Sequence, residues 1–303
     1  EPVFYLAAHS LLNQPLLEQP LLTRSLLKNP QNNFIEKYKY DIQPATDNRP
    51  YFNNYFKWSS LKEFLSLPGQ AGISMIGVGY PTLLVTLAQA SVAAFVLVLL
   101  PLLFVKTEKK KSAKRRRNII IYFLAIGLAF LFIEIGFIQK FTLILSQPLY
   151  AVAVTLCAFL IFSGLGSLYV QRRMKAATTS IIPVLLQRSV MMIGLIIVIY
   201  IVLLPMISNT IMALPETARI ISAFVLTAPL AFVMGMPFSL GLATLQQTSP
   251  GLIPWAWGIN GCASVLSAIL AVLLAIEIGF NGVMLCAVIL YIIAWRSADK
   301  LYS

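Results

Sequence analysis

Charge is scarce in this chain. Only 11% of its 303 residues are charged, whereas a soluble domain carries about 25%. An ordinary water-soluble globular fold is thereby excluded. Histidine occurs once, as His9, so the chain alone cannot build a histidine-rich metal or haem site. Its three cysteines, Cys157, Cys262 and Cys286, all lie inside apolar runs, and none has CxxC spacing. They read as small buried hydrophobes, not as a zinc site or a disulfide framework. No serine, cysteine or metal catalytic set stands out, and no cofactor is expected from these residues. The chain begins at Glu1 without a basic-then-apolar leader, so it reads as a fragment, a processed product or part of something longer.

Apolar residues are abundant instead. The chain is 58% hydrophobic, with a mean hydropathy of +0.81, which predicts an all-α, polytopic helical transmembrane bundle. Its pivot is KTEKKKSAKRRR, Lys106 to Arg117, with eight basic residues and one acid, Glu108. Apolar runs flank it on both sides, each long enough to cross a hydrocarbon core of about 30 Å. A block of this charge belongs on the cytoplasmic side and orients the later spans. The net charge of +12 raises nucleic acid as a partner. Its concentration in a short loop, without interleaved aromatics, points to the lipid bilayer instead.

Seven spans are expected, at roughly 81–105, 118–139, 148–170, 184–208, 218–245, 254–277 and 280–295; the last is short, so six plus one is the alternative. The second interior loop, 171–188, carries Arg172, Arg173, Lys175 and Arg188 and no acid, in agreement with the first. This arrangement puts loops 106–117 and 171–188 and the C-terminus in the cytoplasm, and the N-terminal segment outside it. If Gln70 to Tyr80 crosses as well, the N-terminal segment moves to the cytoplasm.

Residues 1–80 form an extramembrane or interfacial segment and 81–303 the helical transmembrane domain. In the first part, leucine pairs at 11–12, 16–17, 21–22 and 26–27 recur with a period of five, and Pro15, Pro20 and Pro30 forbid one long helix. These leucines need cover, from headgroups or from another protein part. Phe34 to Ile42 reads as an edge strand, and QPATDNRPYF as a stiffened turn. There Asp47 and Asn48 are candidates to accept nearby backbone donors, and Arg49 to pair with Asp47 or a lipid phosphate. Tyr51, Phe52, Tyr55, Phe56 and Trp58 suit a headgroup collar. Ser59 or Ser60 is expected to cap a short helix ending at Leu67.

The spans hold few polar side chains. Glu134 and Glu277 stand in a repeated pentapeptide, Ile133-Glu134-Ile135-Gly136-Phe137 and Ile276-Glu277-Ile278-Gly279-Phe280. An acid in an apolar span faces the bundle interior and finds a partner, or serves a cation or proton path. For Glu134 the available partner is Lys140; Glu277 is close enough to its span end to reach the interface. Pro229, Pro237 and Gly235 suggest a kinked fifth span with close neighbours and carbonyls facing a polar cavity. In WAWGINGCASVLSAIL, Trp255 and Trp257 suit an interfacial anchor. Gly258, Asn260 and Gly261 suit a tight helix crossing, with Asn260 the best polar candidate. Glu216 and Arg219 are positioned to pair.

PATDNRPYF, FIEIGFIQKFTLILSQPLYAVAVTL, GMPFSLGL and PWAWGINGCASVLSAILA resemble bacterial inner-membrane proteins of the spermidine synthase-like (polyamine aminopropyltransferase-like) family, over residues 34–295. The resemblance implies a multi-span membrane region joined to a Rossmann-type transferase domain. This chain has no strand followed by GxGxG and no ribose-binding acid after one, so such a domain would lie elsewhere, in the same protein or a partner. The family's turn is expected to carry two aspartates where this chain has Asp47-Asn48. Three functions follow: a membrane module that anchors or serves a soluble domain or partner, a transporter of a small cationic or polar solute, and an accessory subunit packed among other membrane subunits.

Overall fold

The computed structural model describes residues 41, 45–51, 54, 56–58, 79–103, 113–176 and 181–302. The leucine pairs, His9, the helix expected up to Leu67, Phe52, Tyr55 and all of the Phe34–Ile42 strand except Asp41 lie outside these residues. The chain divides into two compact units. One comprises Glu1–Ala45 and Tyr51–Tyr80; the other comprises Thr46–Pro50 and Pro81–Ser303. In the first, Phe56 stacks on Tyr80 with ring centroids 4.8 Å apart, and Trp58 meets both edge-on. Burial pushes the Tyr51 phenol up to about 12.

The second unit is all helix apart from its connections. Helix α1 (Gly79–Ala94) continues through a π-helical stretch, Phe95–Leu99, into α2 (Leu100–Leu103). There follow α3 (Ala113–Leu145), α4 (Pro148–Ala176), α5 (Ile181–Met212), α6 (Glu216–Thr248) and α7 (Ile253–Tyr302). Among the described residues six helices, with α1 and α2 taken together, are long and apolar enough to cross a membrane. The protein is therefore a multi-pass membrane protein. Helices α3, α5 and α6 start earlier and end later than the apolar runs. Ala113–Arg117 is already the first turn of α3, and only 177–180 separates α4 from α5 among the residues expected as the loop 171–188.

The expected division between spans 254–277 and 280–295 falls inside α7, whose membrane-length stretch is 49 residues long. A straight helix of that length would measure roughly 74 Å, over twice the hydrocarbon core. It is not straight. Gly279 has φ 75° and ψ 168°, a break between two helical halves. Contacts with α3 show what the break does. Asn260 and Ala263 lie against Gly127, and Ser267 donates to the Leu128 carbonyl at 2.7 Å. Beyond the break, Met284 lies against Gly136. The first half thus climbs alongside α3 and the second returns beside it, so seven passes map onto six helices.

Short connections have local causes. Between α3 and α4, Ser146 adopts φ 59°, and its N–H donates to the Thr142 carbonyl, closing the helix end. Pro148 then opens α4, where its missing N–H costs nothing. Helices α4 and α6 cross at Gly166 and Gly235, where any Cβ would run into the Phe232 or Ser163 carbonyl of the other helix. Small residues at a crossing let backbones approach closely in lipid. Ser167 and Ser239 extend that seam with a hydroxyl pair at 2.6 Å.

Two expectations for this region are corrected. Helix α6 runs through Pro237 to Thr248, as the span 218–245 requires, but Pro237 is buried. Its carbonyl accepts the Tyr122 hydroxyl at 2.5 Å and does not face a polar cavity; a neighbouring helix supplies the donor. Among the described residues Glu216 and Arg219 form no ion pair, and the Arg219 Nε is buried without a partner.

Candidate functional site

The residues singled out from the sequence divide into one group that the structure assembles and a remainder that it scatters. The assembled group lies where α7 breaks. Thr46 and Arg49 exchange backbone hydrogen bonds, 3.2 and 2.8 Å, and the Arg49 N–H also reaches the Thr46 hydroxyl. This closes a tight turn with Asp47 and Asn48 at its tip. Asx and hydroxyl residues favour such turns because their side chains satisfy local backbone groups.

Here the side chains of the turn reach much further along the chain. A helix end leaves carbonyls without partners, and a helix start leaves N–H groups without partners. The break at Gly279 creates both at once. The Arg49 Nε and Nη2 donate to the Ile276 carbonyl at 3.0 and 2.6 Å, covering the end of the first half. The Asn48 carbonyl accepts the Phe280 N–H at 3.0 Å, and its Oδ1 accepts the Asn281 N–H at 2.8 Å. One turn caps both halves of the hairpin. Gly279 is required there for two reasons. Its backbone region is open essentially to glycine alone, and a Cβ would strike the Asn48 side chain.

Asp47 is exposed on the same turn, and its charge acts on Lys140 near the end of α3. Among the described residues no ion pair joins Lys140 to Glu134, the partner that the six-residue spacing had suggested; the charge that acts on it is that of Asp47. Arg49 also makes a contact that its sequence position did not suggest: two of its guanidinium nitrogens donate to a helix carbonyl 227 residues away. Glu277 is exposed beside this cluster, one residue past the capped carbonyl. The Asn281 Oδ1 is buried without a partner.

Glu134 and Asn260 lie outside the cluster. Glu134 is only 7% exposed, between Ile133 and Phe137 positions that are fully buried, and has no hydrogen-bond or ion-pair partner among the described residues. Asn260 is half-buried at the α3–α7 crossing, with its backbone and side-chain oxygens against Gly127. It serves packing. Gly258 is also tight, against Leu102, but Gly261 faces open space and takes no part in the crossing. Trp255 is buried under the Arg116 guanidinium at 4.5 Å, whereas Trp257 is exposed and meets Phe238 edge-on. Among the described residues no group of histidine, cysteine and acid could hold a metal.

Sequence reasoning marked the turn and the break separately. It missed their union, because neither Gly279 nor the Ile276 carbonyl carries a signal naming residues over two hundred positions earlier. No protein-family model matches the chain, and no curated protein or solved structure matches it.

Proposed function

We propose that the helical unit is the membrane module of a spermidine synthase-like protein, anchoring or serving a soluble Rossmann-type domain or a partner chain. The observation that carries this reading is the placement of Thr46–Pro50. This stretch belongs to the resemblance motif PATDNRPYF and is built into the helical unit, while the chain before Ala45 and after Tyr51 belongs to the other unit. The polypeptide thus enters the helical unit, is held by seven hydrogen bonds around the turn and the α7 break, and leaves again. That is how an anchor is built. Any aminopropyl transfer would take place on the soluble domain. In this reading the bundle sits in a bacterial inner membrane. The ends bearing Arg115–Arg117, Arg172, Arg173, Arg188 and Arg296 face the cytoplasm, and the Thr46–Arg49 turn faces the other side.

The test is the intact mass of the protein purified from its native membrane, together with the identity of any chain that accompanies it. A mass well above 33.5 kDa, or a companion with a dinucleotide-type fold, is expected. A mass equal to these residues with no companion overturns the reading, and stable purification with membrane subunits lacking such a fold replaces it with the accessory-subunit role.

A second reading rests on Glu134. A buried carboxyl without a partner in an apolar span is costly and commonly functional, which favours transport of a small cationic or polar solute. Uptake into proteoliposomes that is abolished by Glu134→Gln, with folding intact, would favour it over anchoring.

A further inference from the structure

Helix α1 and its extension are unlike every other span. The stretch Gly79–Leu102 is the one of the six whose most apolar window is entirely unburied. Its attachment to the bundle is confined to one side and one end. Val98 and Leu102 lie against Gly258, and the Cys262 thiol approaches the Ala94 carbonyl. Within the α-helical stretch, the opposite face carries Thr82, Thr86, Gln89 and Ala93, all exposed. Their spacing alternates four and three residues, the repeat that keeps one seam facing a partner helix in a left-handed pair.

The content of this face is wrong for lipid. Gln89 lies near the middle of a 24-residue span. Its carboxamide has no hydrogen-bond partner among the described residues. Hydrocarbon offers no partner, so a carboxamide at that depth drives association with another helix. The threonine and alanine beside it are small enough for close approach, with the Thr86 hydroxyl already folded back onto the Thr82 carbonyl at 2.8 Å.

We propose that this face is a parallel homotypic interface, occupied by the same helix of a second copy of the chain. The argument for a second copy is chemical. A carboxamide is both donor and acceptor, so two of them facing each other across a two-fold axis satisfy one another. Two copies inserted under the same charge bias run in the same direction, which brings both Gln89 residues to the same depth. An isologous contact of this kind closes as a dimer.

The test uses the full chain in native membranes, with Cys157, Cys262 and Cys286 replaced by alanine. Ala93→Cys places a thiol on the seam; Ala88→Cys places one on the same helix turned away from it. A short bis-maleimide should convert the Ala93→Cys protein to a species of twice the monomer mass and leave the Ala88→Cys protein monomeric. Co-expressed copies carrying different tags should be found together in that species. Gln89→Leu should weaken the association on the order of tenfold, with Gln89→Asn retaining most of it. Equal cross-linking at both positions, no cross-linking at Ala93→Cys, a product containing a different protein, or indifference to Gln89→Leu would each overturn the proposal.

Discussion

The same five residues occur twice in this protein with opposite outcomes. In Ile133–Phe137 the helix α3 runs straight through, Glu134 is buried, and Gly136 lies in a helix contact against Met284. In Ile276–Phe280 the helix breaks, Glu277 is exposed, and Gly279 turns to φ 75°. Local propensity cannot distinguish them, because the pentapeptides differ in nothing. What differs is the surroundings. The second copy meets Asn48 and Arg49, which satisfy the carbonyl and N–H groups a break exposes. The first has no such donors and acceptors beside it, and in lipid a helix without external caps must keep its own hydrogen bonds.

The largest expected effect comes from making the two glycines exchange costs. Gly279→Ala meets both a glycine-only backbone region and the Asn48 side chain, and should destabilise by about 3 kcal/mol or more. Gly136→Ala gains helix propensity of roughly 1 kcal/mol, offset by a small shift of the flexible Met284 side chain, and should stay within about 1 kcal/mol of the parent. Thermal unfolding in detergent reads both; similar losses at the two sites would dissolve the comparison.

Next in size is the cap itself. Arg49→Ala removes two charge-assisted bonds to the Ile276 carbonyl and should cost about 1–3 kcal/mol. It should also raise amide exchange at Phe280 and Asn281, which a merely local turn defect would not do. Asn48→Ala removes the bond to the Asn281 N–H but keeps the backbone bond to Phe280, so about 1 kcal/mol is expected. If the exchange of Phe280 rose as much as that of Asn281 in this variant, the two halves of the cap would not be separable.

The smallest effects concern the two acids. Glu277→Gln changes an exposed side chain and should leave stability within about 0.5 kcal/mol. Glu134→Gln replaces a buried carboxyl with a neutral group of the same shape and should leave stability unchanged or raise it slightly, because a charge in an apolar span is the costlier group. A marked loss from Glu134→Gln alone would mean that the carboxylate has a partner in the native membrane.

The bundle was largely legible because its signals are local and strong. Runs of twenty or more apolar residues fix crossing segments by length, and Lys106 to Arg117 and Arg172 to Arg188 separate the two ends by charge. The division of the last stretch between 277 and 280 was legible too, because the apolar run from 254 to 295 is too long for one crossing; the pentapeptide itself gave no sign of it, since it also occurs unbroken in α3. Polar roles were not. Lys140 stands six residues from Glu134 in sequence, yet the carboxylate whose charge acts on it is Asp47. Pro237 suggested carbonyls facing a polar cavity, yet it lies buried inside α6 and its carbonyl accepts the Tyr122 hydroxyl from another helix. Asn260 suited a tight helix crossing or a ligand equally well in the sequence, and the structure places it at the crossing, against Gly127.

By itself, then, the sequence determined that the chain crosses a membrane many times as helices, since hydrocarbon demands long apolar segments whose backbone groups bond within the segment. Only the tertiary structure showed how the second of two identical pentapeptides is able to bend. A break is stable only where unpaired backbone groups find partners, and the partners of Ile276, Phe280 and Asn281 come from a turn more than two hundred residues away.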